Sequence, residues 1–290
     1  MSKEDYELNE VGVKTQQEIH PQTKKNNGKR FVYKYISLDN AKKDLELKEN
    51  KKGTLAFAEP PKWKDPAEKS FYDANYTEEN EKPWKRPIVY ACCITDLQQS
   101  EAAWATYQYQ GNDGCVKFSI DYDNLIKQLQ QYAEKNECRL YVGRVEYGKW
   151  SDISNTNKGR LDEIFTKLGG KDDDSMERNF LRYLLIKREA FAYEKEIRLF
   201  LVYDRDKAPK KEDKNEIKDS ILVPINWKEC LNKVYVGEEC KYRDIREIKY
   251  LIKKIGFTER NADEIVDATD LYEAKDMLNI TLIGTKDNNQ

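Results

Sequence analysis

Short apolar runs and two-residue alternation recur along the chain, and both patterns predict strands. Phe31-Val32-Tyr33-Lys34-Tyr35 alternates aromatic and smaller residues, and Thr54-Leu55-Ala56-Phe57 reads as a short strand. Residues 88–94 form a continuous apolar run of strand length, expected to be buried on both faces. Further strands are expected at 114–120, 138–145, 196–203, 221–225 and 234–237. Helical spacing appears elsewhere. Ser37 offers an N-cap to Leu38, Ala41 and Leu45, and 122–135 carries Leu125, Leu129 and Tyr132 on one face. The segment 99–109 reads as a helix, and 158–192 as two helices broken near Gly169-Gly170. The last helix, 242–255, places Ile245, Ile248, Leu251 and Ile252 together.

Between these elements, the three prolines of 60–66 predict a loop, 68–87 an acidic and aromatic excursion, and 204–219 a solvated loop. Strands and helices alternate irregularly, without βαβ regularity. The expectation is a single α+β domain over 29–290, with a mixed, mostly antiparallel sheet and flanking helices. Residues 1–28 are polar and end in Lys24-Lys25-Asn26-Asn27-Gly28, which predicts a flexible tail.

One stretch departs from the simple pattern. Tyr193-Glu194-Lys195-Glu196-Ile197-Arg198-Leu199-Phe200 puts charge at the head of a strongly apolar strand. In an extended chain Glu194, Glu196 and Arg198 share one face, while Lys195, Ile197 and Leu199 take the other. Buried and unpaired, such a row is costly, so it is either a solvated face or the floor of a polar cleft.

Composition removes several function classes. The 51 Lys plus Arg nearly cancel the 53 Asp plus Glu of the 290 residues, so no net field draws the whole protein to nucleic acid or an anionic membrane. No apolar run approaches the ~20 residues that span a bilayer, and no signal-peptide pattern opens the chain. The six cysteines form no CxxC pair and read as reduced thiols of a cytoplasmic protein. His20 is the only histidine, and it lies in the polar tail. A Ser-His-Asp triad, a Cys-His pair or an HExxH zinc site therefore has no histidine in the folded part, and no metal is expected. GxGxxG, Walker and GxSxG signatures are absent as well. Chemistry is left to Asp, Glu, Lys, Tyr, Cys and Arg.

Six segments, in order, resemble the bacterial domain-of-unknown-function 2971 family over nearly all of 31–275. They are Tyr33-Lys34-Tyr35-Ile36-Ser37-Leu38; Phe57-Ala58-Glu59-Pro60 leading to Asp65-Pro66-Ala67-Glu68; Cys93-Ile94-Thr95; Trp104-Ala105-Thr106-Tyr107 followed by Gly114-Cys115-Val116-Lys117-Phe118; Tyr193-Glu194-Lys195-Glu196-Ile197-Arg198; and Val234-Tyr235-Val236-Gly237. Lys64 stands where relatives have Asn, and Tyr193 where they have Trp. That family carries no assigned reaction, so the resemblance implies a fold relative.

A second likeness, to ADP-ribosyltransferases, rests on the layout of polar groups. Glu194-Lys195-Glu196 is similar to their Glu-x-Glu motif, which implies NAD as substrate. Splitting the nicotinamide–ribose bond develops positive charge on the ribose, which a nearby carboxylate stabilises. The likeness casts Glu196 in that role and Glu194 as the group orienting the acceptor or water. Lys34, Tyr35, Thr95 and Arg198 would hold the nucleotide, and Trp104 or Tyr107 would stack on nicotinamide. The acceptor would be water, a protein or a nucleic acid. By analogy with NAD-consuming effectors, such an enzyme suits a toxin or phage-defence role.

Plainer readings stand beside these. Glu196 and Arg198 can form a same-face ion pair, Trp104 and Tyr107 a core stripe, Lys34 a solvent-facing strand residue, and Asp65-Pro66 a turn. Cys92 and Cys93 point to opposite faces of one strand and suit no shared metal. Two other classes remain open. A single-stranded nucleic-acid groove or metal-dependent nuclease would use the basic helix of Arg243, Arg246, Lys249, Lys253 and Lys254, with Glu194, Glu196 and Asp65 around a metal. A non-enzymatic sensor or partner-binding module would use none of these as catalysts.

Overall fold

The computed structural model describes residues 8–10, 28–48, 52–63, 65, 68–69, 72, 86–108, 114–149, 173–211 and 216–268. In chain order these give β1 (Leu8–Glu10), β2 (Phe31–Ser37), α1 (Leu38–Leu45), β3 (Gly53–Ala58), β4 (Ile88–Thr95), α2 (Glu101–Gln108), β5 (Cys115–Asp121), α3 (Tyr122–Lys135) and β6 (Arg139–Arg144). Next come β7 (Glu146–Gly148), α4 (Asp173–Tyr183), β8 (Ile186–Arg188), β9 (Glu196–Tyr203), β10 (Ser220–Ile225) and α5 (Trp227–Cys230). The last elements are β11 (Leu231–Val236), α6 (Tyr242–Lys254), α7 (Glu259–Ile265) and β12 (Val266–Ala268).

Among the described residues ten strands join one sheet, ordered β1-β6-β9-β4-β2-β5-β11-β12, with β3 bridging β4 and β10. Its pairings are antiparallel except β11 with β12, and β7 pairs with β8 in a small parallel ribbon. The expected α+β architecture with a mixed, mostly antiparallel sheet is the one observed. The sheet has one irregularity along β4. β4 pairs along its whole length with β9, but its other edge is shared: Ala91 faces Ala58 of β3, and Thr95 faces Tyr33 of β2. The sheet forks there, and β2 and β3 diverge.

Alternation sorts the strands onto two faces. Val32 and Ile36, Cys92 and Ile94, Val116 and Phe118, and Ile197 and Leu199 point to the main core, where α1, α3, α6 and α7 bury Leu45, Leu129, Ile252 and Ala262. The opposite face holds two separate apolar clusters. One gathers Val89, Ala91, Phe200 and Val202 under Phe180 and Leu184, and the other packs Tyr35 and Cys115 against Ala103 and Trp104 of α2. Local signals set the helix starts. Ser37 Oγ accepts from Asn40 N–H at 3.4 Å, and an Asp121 carboxylate oxygen accepts from Asn124 N–H at 3.2 Å.

Four expectations need correction. Leu8–Glu10, within the expected tail, pairs with β6. Pro60–Lys62 forms a 3-10 turn, because proline is tolerated at a helix start where no N–H partner is needed. Helix was expected through 192, but α4 ends at Tyr183, and β8 and a 3-10 turn (Glu189–Glu194) follow. The short α5, and α7 with β12, were too brief for periodicity to show. The expected break at Gly169-Gly170 lies outside the described residues.

Candidate functional site

The polar head of β9 begins with a turn. Lys195 has φ 45° and ψ 48°, in the left-handed region that side chains rarely adopt. Thr95 clamps it: its hydroxyl donates to the Lys195 carbonyl at 3.1 Å and accepts from Leu97 N–H at 3.1 Å. The Glu196 N–H donates to the Tyr147 hydroxyl at 2.9 Å. This turn takes Glu194 off the strand, so the shared strand face holds for Glu196 and Arg198 alone. Glu194 returns to Glu196 by another route. Lys187 of β8 donates to Glu194 Oε2 at 2.5 Å and to Glu196 Oε2 at 3.0 Å.

Arg198 is what allows this charge to be buried. Its Nε donates to Glu196 Oε1 at 2.8 Å and its Nη2 to Glu196 Oε2 at 3.0 Å. Nη2 also donates to Glu68, Nη1 to the Leu184 carbonyl, and the guanidinium lies 4.1 Å from the Trp63 ring centroid. Arg198 is 1% exposed and Glu196 4%, so the row is neither a solvated face nor a bare cleft floor. It is a buried chain of alternating cations and carboxylates, which offsets desolvation by pairing each charge.

The two glutamates are driven apart electrostatically. Burial would raise the Glu196 carboxyl, but Arg198 and Lys187 outweigh it and hold Glu196 well below the usual carboxylate range. At Glu194 burial wins over Lys187, and the carboxyl sits above its ordinary value. Burial would lower the Lys187 ammonium; Glu196, Glu68 and Glu194 reverse that and keep it charged. Neighbouring carboxylates pushed in opposite directions are the arrangement that divides electrostatic from proton-handling roles.

These groups open onto a small hollow of about 90 Å³ beside the cluster of Tyr35 and Ala103. Lys187, Glu194 and Glu196 line it together with Cys93, Thr95 and the aromatic residues Tyr33, Tyr35 and Tyr107. Tyr35 and Tyr107 stack with centroids 6.2 Å apart, while Trp104 meets Tyr35 edge-on at 5.3 Å. Burial, then the charge of Glu196, pushes the Cys93 thiol well above its ordinary value, so it stays protonated. A second hollow, of about 360 Å³, occupies the fork between β2 and β3 and shares Tyr35 and Tyr107 with the first.

The structure brings Glu194, Glu196, Tyr35, Tyr107 and Thr95 to one hollow and sends three other candidates elsewhere. Lys34 sits on the opposite sheet face from Glu196, with Val32 and Ile36, because strand alternation puts it there. Its ammonium lies 3.4 Å from both Cys92 Sγ and the Cys93 carbonyl oxygen, and it lines the second hollow. Trp104 is packed among Tyr35, Ala103 and Cys115, so the core reading fits it better than a stacking wall. Arg198 has its guanidinium committed to Glu196, Glu68 and the Leu184 carbonyl. The Thr95 hydroxyl is likewise committed to the turn.

Several neighbouring residues were not among the candidates that the sequence singled out. Lys187 lies in a three-residue strand, Glu68 in the excursion, and Tyr33 beside the residue singled out. Lys117 is buried with its ammonium donating to the Gln98 carbonyl at 2.7 Å and 4.1 Å from the Tyr235 ring centroid. Asp65, considered as a metal ligand, instead pairs with Arg188 at 3.0 Å. Of the basic helix, Lys249 pairs with Asp263 at 2.8 Å and Lys253 with Glu259, which reduces the charge that face offers to a phosphate backbone. Among the described residues no three His, Cys, Asp or Glu side chains gather as a metal site, and no helix is long and apolar enough to cross a membrane. Compared with known proteins, the chain matches no family model, and neither a curated protein nor a solved structure is significantly similar to it.

Proposed function

We propose that the smaller hollow is the reaction centre of an enzyme that cleaves NAD, or a related nucleotide, at its nicotinamide–ribose bond. The observation that carries this reading is the Glu194–Lys187–Glu196 array sharing one hollow with the stacked pair Tyr35 and Tyr107. Glu196, held ionised by Arg198 and Lys187, presents fixed negative charge where a ribosyl cation would develop. Its geometry is set before the ligand arrives, so little reorganisation is needed during reaction. Glu194 is the less buried of the two, and its raised carboxyl suits it to orient water or an acceptor hydroxyl and take its proton. Tyr107 supplies the aromatic wall for the departing ring.

Nicotinamide release from NAD by the purified protein, followed by chromatography, tests the proposal. Glu196→Gln keeps the shape and removes the charge, and a loss of about 100-fold or more is expected. Glu194→Gln should cost less with water as acceptor and flatten the acidic limb of the pH profile. Inert parent protein that instead binds or cuts nucleic acid would sink the reading. Tight NAD binding without turnover would favour a sensor.

A further inference from the structure

The larger hollow has a composition of its own. Lys34 enters it from β2, and Lys43 and Lys48 from α1 and the residues after it, so three cations face one space. Asp44 lies on the same wall, 3% exposed, with Oδ2 lacking any hydrogen-bond partner. A buried carboxylate oxygen left bare is costly, and it invites a donor from whatever fills the hollow. The backbone around Asp44 is fixed. Trp227 Nε1 donates to the Asp44 carbonyl at 2.8 Å, and Gly53 packs so closely that a Cβ there would lie 2.3 Å from that oxygen. Apolar surface completes the space: Ile36, Ala56, and Leu222, which is 50% exposed.

Anion-attracting lysines, one bare carboxylate oxygen and a patch of apolar wall match one class of small molecule. We propose that this hollow binds a nucleoside monophosphate unit, with its phosphate on Lys34, Lys43 and Lys48 and a ribose hydroxyl donating to Asp44 Oδ2. A volume of about 360 Å³ suits one such unit. Ribose hydroxyls are commonly read by a carboxylate, and phosphates by lysines. The base lies along Leu222 and Ala56. Since Tyr35 and Tyr107 border both hollows, the unit bound here is the AMP-like half of the dinucleotide whose other half meets Glu196. The assignment rests on the proposed function for that link alone.

Titration calorimetry on the full chain at pH 8 tests it, with AMP, 2′,3′-dideoxy-AMP and inorganic phosphate as probes. Burial pushes the Asp44 carboxyl up to about 7, so pH 8 keeps it ionised. AMP should bind saturably and about tenfold more tightly than the dideoxy analogue, the loss of one charged hydrogen bond. The Lys43→Ala/Lys48→Ala double variant should weaken AMP and inorganic phosphate together by about tenfold or more, whereas Lys249→Ala on α6 should leave both unchanged. Asp44→Ala should bind AMP and the dideoxy analogue alike. No saturable AMP binding, or equal binding of both nucleotides by the parent, overturns the proposal, as does an unaffected double variant. AMP binding in a protein that releases no nicotinamide leaves this site standing and removes the cleavage reading. NAD cleavage with unaltered KM in the double variant does the reverse.

Discussion

Removing Arg198 leaves Glu196 and Glu68 buried without the cation they share. Breaking a buried pair from one side costs about 3–5 kcal/mol, so Arg198→Ala should lower stability by that order in urea unfolding. Arg198→Lys should recover only part, since an ammonium cannot make the two-pronged contact to Glu196. Unchanged unfolding of Arg198→Ala would show that the network is not buried as described. Asp44 gives a pH-dependent counterpart. Its carboxyl ordinarily titrates at 3.8 and is pushed up to about 7 by burial, against the attraction of Lys34. The folded protein therefore holds a proton that the unfolded chain releases. Stability from this group is complete below about pH 4, falls as pH rises to about 7, and is flat above, a change on the order of a few kcal/mol. Asp44→Asn has no such dependence. Its stability relative to the parent should rise between pH 4 and 7, and a constant difference across that range would count against the buried carboxyl.

Among the elements, the join between the 3-10 turn and β9 decides where Glu194 points. A left-handed Lys195 stores roughly 1 kcal/mol of strain that glycine would not. Lys195→Gly should therefore be neutral or slightly stabilising, while Lys195→Val should cost more than 1 kcal/mol because a β-branched residue tolerates that conformation poorly. Chemical denaturation of both variants separates this from a role of the ammonium, in which case both would fall alike. The fork along β4 is the other decisive element feature. One strand edge cannot pair fully with both β2 and β3, and the divergence opens the larger hollow.

For the whole molecule, the central strands should be the last to open. β4 and β9 are paired on both edges and covered on both faces, whereas β12 and the β7–β8 ribbon have short ladders. Native-state hydrogen exchange should find amides of β4 and β9 exchanging only through global unfolding and those of β7, β8 and β12 by local opening. Equal protection throughout would mean that the ribbon carrying Lys187 is as rigid as the core. A ribbon that opens locally would instead leave the Glu194–Lys187–Glu196 array dependent on its anchorage to β6 and α4. Val145, where β6 passes into β7, supplies part of that anchorage, its N–H donating to the Glu196 carbonyl at 2.9 Å.

The amino-acid pattern by itself determined most strands and the principal helices. The bounds of 122–135 and 196–203 follow directly from helical spacing and from an apolar run headed by charge. It also singled out the segment that holds Glu194 and Glu196, because charge at the head of an apolar strand demands an explanation. Local pattern reaches no further than neighbours along the chain. Which face of the sheet Lys34 takes relative to Glu196 depends on strand order. That Lys187 and Glu68 join the site depends on contacts with partners distant in sequence, which no periodicity encodes. The bare oxygen of Asp44 arises from burial, a property of packing and not of composition. Tertiary structure alone decided that the charged head of β9 is a paired, buried network rather than a solvated face, since desolvation and its compensation exist only once the chain has closed around it.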